Sequence, residues 1–241
     1  MTESTATAPS GGGLFEDLIE VLYAPSTVFD RARAKKAFMY ALVTAVVVGV
    51  VALATKNLMS PWFDAQSDLA LKLAAAKGKP IPDTAVASMR TFSSWGIVIG
   101  APLTMLLGPY INAILLLLGA KIMKAPLTFA QAAIVATLGG VPRILGWIAL
   151  PVQALVLDGS QARSIADLSM GPARFFDPAT MPPSVLTLLG NLDVFRIWQI
   201  VLIAIGVSVV ARVPRSTGAV VAILMLGIGA IMQMLPTLLS S

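Results

Sequence analysis

Long apolar runs alternate with short charged punctuation along the chain, and the spacing of that punctuation predicts its elements. A helix needs about 20 mostly apolar residues to cross the hydrocarbon core of a bilayer. Residues 37–55 lie between Lys36 and Lys56 and meet this requirement. Residues 91–120 carry no charge and give a second span, read over about 95–118 with Trp95 at its start. Residues 125–157 are interrupted only by Arg143 and give a third, over about 129–157. The fourth covers 194–211, with Arg196 near one end, and the fifth covers 217–239. This pattern predicts an all-α polytopic membrane protein, a bundle of five transmembrane helices.

The segments between and before the spans carry their own signals. Residues 1–13, MTESTATAPSGGG, are rich in Ser, Thr and Gly and read as a disordered tail ahead of a five-span domain over 14–241. They lack a basic stretch followed by an apolar core, so no cleavable signal peptide is expected. Leu14, Phe15, Leu18, Ile19 and Leu22 then recur at helical spacing, with Glu16, Asp17 and Glu20 on the other face. They predict a short amphipathic helix ending near Pro25. Its acidic polar face is the wrong sign for anionic lipid, so docking on the protein's own surface is favoured over an independent lipid anchor. Two connections are long for a helical bundle. In the first, residues 63–76 have helix-forming composition before KGKPIPD breaks it; in the second, a short helix is expected after Pro183. Both read as helical extracytoplasmic loops that cap the bundle.

Charge orients the bundle. Arg31, Arg33, Lys35 and Lys36 precede the first span, Lys121 and Lys124 lie between the second and third, and Arg212 and Arg215 between the fourth and fifth. These short, basic turns mark the cytoplasmic side, which puts the N-terminus inside and the C-terminus outside. The other connections mix their Lys and Arg with Asp64, Asp68, Asp83, Asp158, Asp167 and Asp177. Composition agrees: 57% of residues are apolar and 12% charged, about half the charge of a soluble domain, too little to cover a water-soluble globule. The net charge of +5 gathers beside apolar runs instead of forming a basic face interleaved with aromatics, so nucleic acid is not an expected partner. The bilayer is.

Candidate chemistry is sparse. The chain has no cysteine and no histidine, which removes thiolate nucleophiles, the commonest general base and the usual zinc ligands. It contains no phosphate-binding or nucleophile-elbow motif. No catalytic, cofactor-binding or metal-binding residue is expected, and the chain does not read as an enzyme.

Three stretches resemble the Yip family, membrane proteins named for interaction with Ypt/Rab GTPases. NLDVFRIWQIVLIAIGVSVVARVPR, residues 191–215, resembles its fourth span; VLYAPSTVFDRARAKKAF, residues 21–38, its proline-containing entry to the first; GAKIMKAPLTFAQAAIVATLGGVP, residues 119–142, its turn between the second and third. The resemblance covers roughly residues 15–238. It implies a five-helix domain with a cytoplasmic N-terminus. Eukaryotic members act in vesicle trafficking and meet Rab GTPases through longer N-terminal regions. About 36 residues precede the first span here, so Rab binding is not expected. The compact form is similar to the bacterial branch, some of whose members accompany export transporters, which implies a multi-pass protein of the cell (inner) membrane.

Within the spans, Arg143 stands out. A central arginine costs at least ~2.5 kcal/mol unless it faces protein or water. Pro142, beside Gly139 and Gly140, predicts a kink whose freed carbonyls could accept from the guanidinium, with Asn112 a further polar contact; the alternative is that Arg143 snorkels to the outer interface. Asp193, Arg196 and Gln199 share one face at the outer end of the fourth span and read as an interfacial anchor, with Trp198 in the aromatic belt. Gly96, Gly100, Thr104, Gly108 and Asn112 recur every four residues in the second span, a stripe that permits close helix approach, and Pro102 and Pro109 lie in the same helix. The expected function is a non-enzymatic scaffold or accessory subunit for other membrane proteins, such as export-transporter subunits. The alternative is a lipid or small-solute conduit using the broken second and third helices around Arg143.

Overall fold

The computed structural model describes residues 13–239, without the side chains of Pro183 and residues 234–239. Apart from Gly13, the tail read as disordered lies outside the described residues. The described residues are all-helical in their regular structure. Ten α-helices run in order: α1 Leu14–Glu20, α2 Pro25–Ala32, α3 Ala37–Thr55, α4 Ser60–Ala76, α5 Asp83–Ile122, α6 Phe129–Gly139, α7 Pro142–Val156, α8 Pro183–Gly190, α9 Val194–Val210 and α10 Arg215–Leu239. Three short 3-10 turns, Gly159–Gln161, Ile165–Leu168 and Pro172–Phe175, fill the connection before α8.

Four elements among the described residues are long and apolar enough to cross a bilayer: α3, α5, α6 continued by α7, and α10. Helix α9 alone, about 26 Å at 1.5 Å per residue, is short for a core of about 30 Å; α8 and α9, bent by 64°, qualify together as a fifth. The first span has the expected bounds. The second is longer than expected, because α5 is a single helix of 40 residues. Its extra turns carry Arg90, which pairs with Asp68 at 2.6 Å and lies 3.9 Å from Asp64 on α4. A charge-free run does not mark where a helix ends, and paired charges let this one continue beyond it. Lys56 lies over the Trp95 ring, 4.5 Å from its centroid, a cation–π contact at the expected start of the span.

Helix α6 occupies the middle. All eight residues from Ala132 to Gly139 are buried, as expected of a helix covered on every side, and α3, α5 and α9 pack around it. The close approach requires glycine: a Cβ at Gly139 would lie 2.6 Å from Ile203, and one at Gly206 would lie 2.8 Å from the Phe29 ring and 2.9 Å from Val135. A second cluster, built on Trp62, Phe63, Ala154 and Leu168, ties α4 to α7 and the 3-10 turns at the loop end.

The N-terminal segment departs from expectation. The helix from Leu14 stops at Glu20, and a second one, α2, starts at Pro25, where proline suits the first turn. Helix α1 docks on the protein as expected, yet it does so with Asp17 inward beside Leu18 and Val21, while Phe15 and Ile19 are exposed. Asp17 is fully buried; it accepts from Arg31 Nε at 2.6 Å, from Lys35 at 2.7 Å, and from the Tyr40 hydroxyl on α3. Arg31 also pairs with Glu20. Burial alone would raise the Asp17 pKa, but the hydrogen bonds from Lys35, Tyr40 and Arg31 outweigh it and hold the carboxyl below the usual carboxylate range.

Candidate functional site

The break between α6 and α7 places Arg143. Pro142 lacks an amide hydrogen and cannot bond the Leu138 carbonyl. Val141 N takes that carbonyl instead at 3.2 Å, Arg143 N donates to Gly140 at 3.0 Å, and Ile144 N donates to Val141 at 2.9 Å. The chain tightens into a 3-10 turn in which the Leu138, Gly140 and Val141 carbonyls accept from these amides. The carbonyls expected to hold the guanidinium do not do so: among the described residues no group accepts a hydrogen bond from the Arg143 side chain. Its side chain is half-buried and lines a cavity of about 550 Å³. Asn112, the other expected partner, lines a small cavity of about 40 Å³ with Arg143 and a different one of about 240 Å³ with Arg196, without bonding either arginine.

Helix α9 supplies the opposite wall. Asp193 caps it, one carboxylate oxygen accepting from Phe195 N at 2.9 Å and the other from Met170 N in the long connection at 3.0 Å. Its spacing to Arg196 suggests a pair, but no ion pair forms between them. Arg196 instead donates to Gln199 Oε1 at 3.1 Å, and its Nε is buried without a partner. Gln199 is buried, and Trp198 packs half-buried against the main core.

Arg143 and Arg196 line the same cavity and lie close enough to repel one another; Asp193 is the carboxylate that attracts Arg143. The rest of the wall is mixed. Trp147, Leu150 and Phe195 are apolar, while Ser169, Asn191 and Gln233 bring hydroxyl and amide groups from the connection, the α8–α9 turn and α10. Residue spacing within one span cannot reveal such contributions from other elements. Gln233, a lone amide in the last apolar run, is a signal that could have found one of them.

A different surface belongs to α5. Phe92, Ile99, Leu103 and Leu107 are exposed along one side. Among them, a Cβ at Gly96 or Gly100 would meet nothing within 4 Å. The lower part of the stripe does line the small cavity beside Arg143, through Thr104, Gly108 and Asn112. Pro102 has a packing role, its ring lying 3.4 Å from where a Cβ on Gly49 of α3 would stand.

Neither the curated proteins nor the solved structures contain a match to this chain. A family model does match, over residues 19–235, and its description is the Yip1 domain. With nearly the whole helical region inside that match and apolar helices of spanning length throughout, this integral membrane protein belongs to the Yip1 domain family.

Proposed function

We propose that the protein is a non-enzymatic scaffold or accessory subunit of the cell (inner) membrane, holding a helix of another membrane protein, such as an export-transporter subunit, against α5. The observation that carries this reading is the open surface at Gly96 and Gly100. Helices in lipid associate through small residues that let backbones approach, and here two lie one turn apart with no cover from the described residues. The flanking Phe92, Ile99 and Leu103 are exposed and give a partner helix apolar walls. In this reading the N-terminus, with α1, α2 and the basic turns, faces the cytoplasm, and the α4–α5 hairpin and 3-10 turns lie outside. Mild-detergent purification of the tagged protein from its host tests it. A stoichiometric membrane protein should accompany the wild type and be lost from Gly100→Leu, with thermal stability unchanged because the new side chain enters open space. Equal recovery with Gly100→Leu would remove α5 from the interface.

A second reading, a lipid or small-solute conduit, has its own support in the cavity beside the α6–α7 break. Solute or lipid flux in reconstituted vesicles that stops on closing the cavity with Gly146→Trp would favour it over the scaffold.

A further inference from the structure

We infer that the cavity between α7, α8, α9 and α10 binds a phosphate group, clasped between Arg143 and Arg196. The inference holds whether the protein seats a partner or moves a ligand, since a bound anion serves either.

Three observations lead there. The first is charge: two guanidinium groups face one cavity and repel each other, and among the described residues neither forms an ion pair. Asp193, the nearby acid, already accepts from two backbone amides. The second is donor supply. Two arginines carry about ten side-chain N–H donors, yet among the described residues they form one hydrogen bond, from Arg196 to Gln199, and the buried Arg196 Nε has no acceptor. Arginines partly removed from water and left unpaired are costly, and among the described residues no carbonyl at the Pro142 turn accepts from either side chain. The third is space. A cavity of about 550 Å³ lies in the range of small-molecule sites and holds a phosphate ester with part of its organic group against Trp147 and Leu150.

The complement of two forked cations with excess donors is an anion with several acceptor oxygens. A carboxylate presents two and suits one guanidinium; a phosphate presents enough to engage two forks at once. The hydroxyl and amide groups of Ser169, Asn191 and Gln233 in the same wall can bond the ester oxygens or the group attached to them. That phosphate can arrive on a phospholipid headgroup or on a soluble molecule.

The full-length protein, delipidated in detergent, is examined by native mass spectrometry. One arm adds inorganic phosphate; the other adds dihexanoyl phosphatidic acid, with dihexanoylglycerol as the phosphate-free control. One phosphate-bearing molecule per chain should be retained, and the diacylglycerol should not. Arg143→Gln and Arg196→Gln should each weaken retention at least about tenfold, and Arg143→Lys should restore it in part, because it keeps the charge and lacks the planar fork. Retention of the lipid alone identifies a headgroup site, and retention of inorganic phosphate alone a soluble ligand; both support the proposal. Wild-type protein that retains neither, or binding undiminished in the double glutamine variant, overturns it. Should the glutamine variants fail to fold, phosphorus NMR titration of the wild type decides: a saturable, equimolar bound signal is expected, and its absence sinks the site.

Discussion

Two centres of charge in this molecule, one buried and one partly buried, are built on opposite terms. At the N-terminal face, Asp17 sits inside a ring of donors from Arg31, Lys35 and Tyr40, with Glu20 sharing Arg31. Two acids meet two bases, and every oxygen of the buried carboxylate is engaged. Near the α6–α7 break, two bases meet one acid whose oxygens are turned to backbone amides. The contrast separates architecture from readiness. A chain that neutralises one buried centre so completely does not lack the means to neutralise another, and the open centre is incomplete until something else fills it.

Breaking the closed centre should have the largest effect. Asp17→Asn leaves Arg31 and Lys35 without their shared acceptor charge, and removal of one member of a buried pair costs about 3 kcal/mol. The melting temperature in detergent should fall, and protease should cut between α2 and α3 sooner than in the wild type. Acid should do the same work by titration. The Asp17 pKa is held below its ordinary value of 3.8, so its stabilisation is complete above that value and is lost as pH falls through the lower folded value. Protection of the N-terminal segment should persist at pH 4.5 and fail in stronger acid; failure already between pH 6 and 5 would contradict the arrangement.

The open centre should respond with the other sign. Gln199→Glu puts a carboxylate where Arg196 already donates, and should raise the melting temperature of delipidated protein, by about 1 kcal/mol of stability, while abolishing phosphate retention. The smallest effect is expected from Arg143→Met, which removes one of two repelling charges and breaks no side-chain hydrogen bond, the Asp193 oxygens being held by backbone amides: stability should change by less than about 1 kcal/mol or increase. A loss as large as that of Asp17→Asn would show that Arg143 is as architectural as Asp17, and the distinction between the two centres would fall.

Much of the fold is legible in the residues. Lys36 and Lys56 bracket α3, and Pro183 announces α8, because these boundaries are local. The overhang of α5 is not visible to a charge-free criterion, since Arg90 finds its acids, Asp64 and Asp68, in another helix. The inward position of Asp17 on α1 has the same cause. Periodicity sorts Asp17 by its type as a surface residue, while its partners follow 14 to 23 residues later. At the site, Arg143 and Pro142 stand out by composition alone. The spacing of Asp193 and Arg196 misleads, because helix capping captures the carboxylate before the arginine can.

The contact between Phe29 and Gly206 also sets a clock. Helix α2 is synthesised first, but the helix that covers it emerges roughly 180 residues later, a delay on the order of ten to thirty seconds at ordinary translation rates. Through that interval Val28 and Phe29, both fully buried at the end, have no seat. The Asp17 knot can close as soon as α3 brings Tyr40 into place, so the N-terminal pair is moored early by charge and covered late by packing. The order of assembly is written into which of its contacts are near in sequence and which are far.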